Sequence, residues 1–552
     1  MRIDFKFVAD MAELAEASYA DLEKHSDPDV VRALKDAGFN GMSFSTTQAA
    51  GFVEKWSVLD HLSDTPSSDF SATLFRSKSG EDYVLALRGT AGGNDLQADG
   101  GDIVLDGAAT DQIIDLYNYV QRLSAAKGGS YTIATKVRIE PPLNVVQMEQ
   151  AENVANPWLP PNTLMSVDLA TQHWAAKNGY VYDNPSGTVW KIELSETRTD
   201  GLGLINDSTP LHVTGHSLGG HLAAAFSRLF PDVTLDATMI NGAGFNYGQA
   251  LNKDRNIDNL FAALGGQSAF NAGTITNYIG SAGWDFVSQD MWIGLQQPGQ
   301  KIEIETESFG AGVVAPNTTL GHGAGQMTDT LAVMGMLWRL DRSLTVSQLN
   351  QLQKESSGTS SRSLEDAMNS VAKVFGSARI PDGLDSLDTG REAFYAALVQ
   401  ITTRLDLLGE SSPFSIIGLG ELSSRDIAAL AHQDTPQGQA VRFALKELSP
   451  FAIAGYAYGK EVDLYEVNTG TGELSKEWIA DRAAMLSWKL KYDIGAKDAD
   501  DALFFGDRSD KPYAEDWDSH TPGDWDFIDY TTAINGAPPA ARHRWRRPLH
   551  PR

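Results

Sequence analysis

Two hydrophobic periods alternate along most of this chain. Near the N-terminus, Val8, Met11, Leu14, Ala15, Tyr19 and Leu22 recur at helical spacing among Asp4, Lys6, Asp10, Glu13 and Glu16, predicting an amphipathic helix docked by one face. From about residue 70 to 340, β-prone runs alternate with helical ones. Phe70 to Arg76 and Tyr83 to Leu87, either side of Lys78-Ser79-Gly80, predict a hairpin, and Asp111 to Leu123 carries Ile113, Ile114, Leu116, Tyr117, Val120 and Leu123 on one broad face, predicting a helix that covers a sheet. Leu211 to Thr214 predicts a strand feeding a helix that is strong from Leu222, Ile275 to Gly280 another strand, and Thr328 to Leu340 another helix. Such alternation predicts an α/β architecture with a mainly parallel central sheet.

Between residues 124 and 210 the pattern weakens into a stretch rich in Gly, Pro and Asn, with an extended segment at Ile139 to Val146. Long irregular insertions often serve as lids or binding loops, so this one is a candidate lid; a partly ordered structural excursion fits nearly as well. Beyond about residue 345 the texture changes again. A Ser-rich linker, SSGTSSRS at 356–363, precedes helical runs at Leu364 to Phe375, Arg391 to Leu408, Ser424 to His432 and Gln439 to Leu448, followed by an acidic, loop-rich stretch at Asp498 to Asp529. The expected division is an α/β domain over 1–345, a linker over 346–364, an α-rich accessory domain over 365–536 and a foreign tail over 537–552, where five Arg and no acid close an otherwise acidic chain. No internal repeat of fixed period is present.

A length of 552 residues requires more than one core, and no apolar run approaches the roughly 18 residues that span a bilayer. The net charge of -28 repels polyanions, which argues against nucleic-acid binding. Absence of cysteine excludes disulfides, thiolate nucleophiles and Cys-ligated zinc or iron-sulfur sites. The charged first turns lack the apolar core of a Sec signal peptide.

Gly215-His216-Ser217-Leu218-Gly219 lies where the predicted strand at Leu211 meets the Ala-rich helix. At such a strand-turn-helix elbow a serine is held in a strained conformation that lifts Oγ clear of the sheet, and the flanking glycines let strand and helix approach. Ser217 is therefore the candidate nucleophile. The N–H of Leu218, at the helix N-terminus, points to where a tetrahedral oxyanion would form. Thr90, in the polar turn that ends Val84-Leu85-Ala86-Leu87-Arg88-Gly89-Thr90, is the candidate second donor. A serine of this kind needs a base, and the base a carboxylate to fix its tautomer. After the elbow helix, histidine is scarce. His322, in a glycine-flanked loop before the helix at Thr328, is the candidate base; His432 and His520 are the rivals, whereas His216 reads as packing or hydrogen-bonding under the turn and His221 cannot easily fold back onto Oγ. Asp285, just past the strand Ile275 to Gly280, is the candidate acid, with Asp290 as its rival; Asp329 reads instead as an early helix residue.

The pair ALRGT and, about 125 residues on, VTGHSLGGHLA resembles the class 3 lipases, the fungal-lipase-like branch of the α/β-hydrolases, at motif level over roughly residues 60 to 340. The resemblance implies an α/β-hydrolase fold, an oxyanion hole at Thr90 and Leu218, and a chain order of Ser, Asp, His that suits Ser217, Asp285 and His322. The two motifs stand further apart here than is usual in that family. The expected activity is hydrolysis of lipid esters, of triacylglycerol lipase or phospholipase A1 type, with transient contact at a lipid–water interface; a non-catalytic adhesion or interaction module on a hydrolase fold is the alternative. No cofactor is required for that chemistry. Asp95, Asp99 and Asp102 could converge on a calcium ion, although acidic glycine-rich loops are more often simply solvated. The segment 444–490 is similar to stretches that precede calcium-binding repeat arrays in type I-exported bacterial proteins, which implies a secreted protein without a Sec signal.

Overall fold

A computed structural model describes residues 3–37, 43–66, 68–80, 82–90, 103, 107–144, 167–247, 253–282, 295–307, 322–356, 362–377, 379–380, 387–409, 412–466 and 468–493. The chain divides into two compact units, one made of residues 10–304 with 317–328, the other of 1–9, 305–316 and 329–552.

In chain order the first unit takes in most of α1 (Phe5–Ala17), then α2 (Asp27–Asp36), α3 (Thr46–Lys55), β1 (Trp56–Leu62), β2 (Ala72–Ser77), β3 (Tyr83–Leu87), α4 (Thr110–Ser124), β4 (Tyr131–Ile139), α5 (Val167–Lys177), β5 (Val181–Asp183), β6 (Thr188–Arg198), β7 (Leu211–His216), α6 (Leu218–Leu229), β8 (Thr234–Ile240), β9 (Phe245–Asn246), α7 (Lys253–Ala263), β10 (Ile275–Gly280), β11 (Leu295–Gln296) and β12 (Gln300–Ile304). Seven strands form the main sheet in the order β1-β2-β3-β7-β8-β10-β12. The β1-β2-β3 part is an antiparallel meander that includes the expected hairpin, and the run from β3 to β12 is parallel throughout. Parallel strands are covered on both faces and so read as continuous apolar runs; Val84, Leu85, Ala86 and Leu87 of β3 are all buried. The core joins Leu85, Leu87, Leu116, Val120, Val213, Phe226 and Met239 from sheet and covering helices. Every residue of α6 is buried, which its Ala223-Ala224-Ala225 run permits by offering little side-chain volume. This is an α/β-hydrolase sheet.

The 124–210 insertion is more regular than its composition suggests. Its strands β4, β6 and β5 form a separate three-stranded antiparallel sheet. Only Val189 and Ile192 of β6 are buried, the strand ending in a run of exposed residues, so its half-buried pattern is easily taken for loop. Residues 145–166 of the insertion lie outside the described set.

The second unit continues from residue 329 within α8 (Ala324–Leu340) and comprises α9 (Val346–Lys354), α10 (Ser363–Phe375), α11 (Leu387–Asp406), β13 (Ser415–Gly418), α12 (Ser424–Ala431), α13 (Pro436–Glu447), β14 (Phe451–Ala454) and α14 (Lys476–Asp493). It is mostly helical, with one antiparallel pair, β13 on β14. Its core gathers Ile427, Val441, Leu445, Ile479 and Leu486. The buried Arg442 guanidinium is satisfied by the carbonyls of Val462, Ala431 and Gln433; a buried charge without such acceptors would be prohibitive. Among the described residues no helix is long and apolar enough to cross a membrane.

Candidate active site

Ser217 sits between β7 and α6 with φ 57° and ψ -122°, a conformation that non-glycine residues rarely adopt. The surrounding backbone holds it there. Its N–H donates to the Ile240 carbonyl at 3.1 Å, and its own carbonyl accepts from Gly220 at 3.0 Å and Ala243 at 3.1 Å. A Cβ on Gly215 would stand 2.3 Å from the Gly219 backbone, and one on Gly219 2.0 Å from the Leu87 oxygen, so both elbow glycines are required by close approach. The Ser217 side chain is 3% exposed, and its Oγ has no hydrogen-bond partner among the described residues.

β3 runs parallel beside β7, with Leu87 opposite Gly215, so the turn that follows β3 arrives at the same edge of the sheet as Ser217. Gly89 lies so close that a Cβ there would fall 3.3 Å from Ser217 Cβ and 2.5 Å from the His216 oxygen. Thr90 is the next residue. Arg88 anchors the turn: its N–H donates to Ser71 and its guanidinium to the Asp69 carbonyl, and it pairs with Asp64. Leu218 opens α6, where the first N–H groups have no intrahelical acceptor, and its side chain packs with Ile103, Ala109, Ala243 and Leu295.

His322 is buried just ahead of α8. Its carbonyl oxygen accepts from Nε2 of His216 at 2.5 Å, and the two imidazole centroids are 4.8 Å apart. On the other side of the His216 ring, Nδ1 lies 2.9 Å from the Tyr19 hydroxyl, whose oxygen packs so close to Gly89 that a Cβ there would stand 2.4 Å from it. The residue before Ser217 thus touches the His322 backbone directly. His221 faces away from this chemistry: its Nε2 accepts the Ala109 N–H at 3.2 Å, so Nδ1 carries the proton and donates to the Gly244 carbonyl at 3.0 Å. Burial lowers its pKa to about 4, fixing the neutral ring as a structural link below the elbow.

A buried amide network supports the same elbow. Asn277 of β10 accepts the Gly242 N–H at 3.0 Å and donates to the Gly242 carbonyl and to Gln297 Oε1, both at 2.9 Å. Asn241, with φ 47°, accepts the Gly280 N–H. Together these bonds fix the loop whose Ala243 N–H holds the Ser217 carbonyl.

β10 ends at Gly280, and Asp285 and Asp290 fall outside the described residues, as do Asp95, Asp99, Asp102 and His520. Asp329 lies in α8 and accepts from the Arg391 guanidinium and the Tyr395 hydroxyl. His432 caps the C-terminus of α12 in the second unit. Among the described residues no group of three acidic or histidine side chains is placed to hold a metal ion. His216 packs and hydrogen-bonds under the turn, as its place in the sequence leads one to expect, but its partner Tyr19 is marked only as one position on an amphipathic face. Nothing local marks that pairing, because the bond joins residues 197 apart.

No protein-family model matches the chain, and no curated protein does. Solved structures similar to it include the Lip2 lipase of Yarrowia lipolytica, at 15% identity and TM-score 0.24 over 55% of this chain and 78% of that one. Lipase II from Rhizopus niveus is similar at 14% identity and TM-score 0.23, over 55% of this chain and 81% of that chain. A triacylglycerol lipase from Penicillium expansum is similar at 13% identity and TM-score 0.22, over 55% and 82% respectively.

Proposed function

We propose that this protein is a serine-dependent carboxylic ester hydrolase that acts on lipid esters, of triacylglycerol lipase or phospholipase A1 type. One observation carries the reading: a buried serine hydroxyl without a hydrogen-bond partner among the described residues, on a strained elbow between a strand and a fully buried helix. A structure that merely needed a turn there would use glycine, since a positive φ costs a non-glycine residue on the order of 1–3 kcal/mol.

In the proposed reaction Ser217 Oγ attacks the ester carbonyl while His322 takes its proton. Asp285 orients the imidazole and stabilises its charged form. The amides of Thr90 and Leu218 hold the oxyanion, the alcohol leaves with the proton from His322, and water then releases the acid from Ser217 by the same relay. The lipid character of the substrate rests on the resemblance of ALRGT and VTGHSLGGHLA to class 3 lipases. It agrees with two exposed apolar side chains, Leu143 at 80% and Val167 at 58%, on either side of segment 145–166 in the candidate lid. Calcium enters only as a structural ion on Asp95, Asp99 and Asp102; EGTA-treated protein with undiminished turnover and melting temperature removes it from the proposal.

The decisive experiment compares the protein with Ser217→Ala on p-nitrophenyl acetate, butyrate and palmitate, alongside labelling by a fluorophosphonate. A loss of roughly 10⁴-fold or more in kcat and complete loss of labelling are expected. Undiminished turnover in the variant sinks the serine mechanism. A wild-type protein that neither turns over nor labels is the non-catalytic module.

A further inference from the structure

We infer that Tyr19 and His216 are positioning residues for the proposed hydrolysis, forming a strap of hydrogen bonds and close packing that fixes the backbone of the His322 loop against the oxyanion turn. The inference rests on the serine-hydrolase reading and adds two residues to it.

The strap has a single direction. At one end the Tyr19 hydroxyl packs against Gly89, where a Cβ would stand 2.4 Å from its oxygen. At the other end the His322 carbonyl can only accept, so the 2.5 Å contact requires a proton on His216 Nε2. With the proton of the neutral ring on Nε2, Nδ1 is the acceptor, and the Tyr19 hydroxyl 2.9 Å away donates to it. Each hydrogen bond uses a donor for which the neighbouring atom is an acceptor. Burial keeps the Tyr19 hydroxyl protonated by raising its pKa well above the ordinary value.

The places joined are those that must stay in register for ester cleavage. Gly89 precedes Thr90, His216 precedes Ser217, and His322 is the base. His322 is followed by Gly323, where the backbone is least restricted and a Cβ would meet nothing closer than 3.8 Å. Steric packing at Gly323 therefore does little to orient the base, and a hydrogen bond to the base's own carbonyl does so directly. Rate in such sites is sensitive to displacements of about 1 Å. The strap touches no substrate atom, so it should alter kcat and leave KM largely alone.

The test uses the full chain with Tyr19→Phe, His216→Leu and His216→Gln, the last keeping a donor and an acceptor. For each, active sites are titrated with a fluorophosphonate, the labelling rate per site is recorded, and kcat and KM are measured on p-nitrophenyl butyrate. Expected are a fall of about five- to tenfold in kcat and labelling rate for Tyr19→Phe, a larger fall for His216→Leu, and recovery of most of that loss in His216→Gln, with KM within about twofold throughout. Variants whose titratable fraction drops while the rate per site stays at the wild-type value overturn the inference, since the strap would then serve stability alone. Failure of the wild type to label refutes the hydrolase reading and the strap together; a labelled wild type with equally fast variants refutes the strap only.

Discussion

Replacing Gly219 by Ala tests how tightly the elbow is built. The new Cβ would stand 2.0 Å from the Leu87 oxygen, 2.8 Å from the Leu87 carbonyl carbon and 3.0 Å from that of Arg88. All three are backbone atoms, so no rotamer change relieves the overlap. Ordinary contact begins at 3.4 Å, and the end of β3 or the start of α6 must retreat by about 1.4 Å. Overpacking of this kind costs about 1–3 kcal/mol, or several degrees in melting temperature for a unit of this size. The effect on rate should be larger, because the displaced strand end leads within three residues to Thr90 and α6 carries Leu218. A shift of about 1 Å in such a site costs on the order of 10²-fold. The assay is kcat/KM on p-nitrophenyl butyrate, normalised to titratable sites, with a parallel thermal melt. Gly51→Ala is the control: its Cβ meets nothing within 4 Å in α3, and helix propensity should raise stability by about 0.5–1 kcal/mol without altering rate. A Gly219→Ala protein with wild-type turnover per site and an unchanged melting temperature would refute the close-approach reasoning.

Two further outcomes concern pH. Because burial depresses the His221 pKa from 6.5 to about 4, the unfolded chain takes up this proton before the folded one, and stability present above pH 6.5 drains away as pH falls toward 4, by up to about 3 kcal/mol from this group. Melting temperature measured from pH 7 to 4.5 should fall more steeply for wild type than for His221→Gln, and parallel curves would contradict it. In the second unit, burial and the neighbouring Glu365 push the Glu307 carboxyl up to about 8, while Glu307 accepts from the Leu364 N–H at 2.9 Å and the Ser363 hydroxyl at 3.1 Å. Here the sign reverses: stability is complete below pH 4.5 and declines as pH rises through 8. Glu307→Gln keeps an acceptor for Leu364, so its melting temperature should exceed that of wild type at pH 8.5 and match it near pH 5; no gain at the higher pH would count against a protonated Glu307.

Elements with a strong period were legible without coordinates. The segment Asp111 to Leu123 lies within α4, Ile275 to Gly280 is β10, and the run at Leu211 and the Ala-rich helix became β7 and α6 around Ser217. The insertion was harder. In β6, Val189 and Ile192 face inward while Lys191 and the residues from Leu194 on are exposed, a pattern too sparse to read as strand until β4 and β5 pair with it.

Local sequence determined the elbow, because its constraints act within a few residues: glycines for close approach, a serine in a strained conformation, and a helix that begins immediately after it. Only the tertiary structure decided what surrounds that serine. Sheet order set Leu87 opposite Gly215 and so brought Gly89 against Ser217. Chain folding placed Tyr19 on His216 and His216 on the carbonyl of His322, across separations of 197 and 106 residues. No periodicity encodes such bonds, since each depends on where distant backbone segments come to rest once the apolar faces are buried.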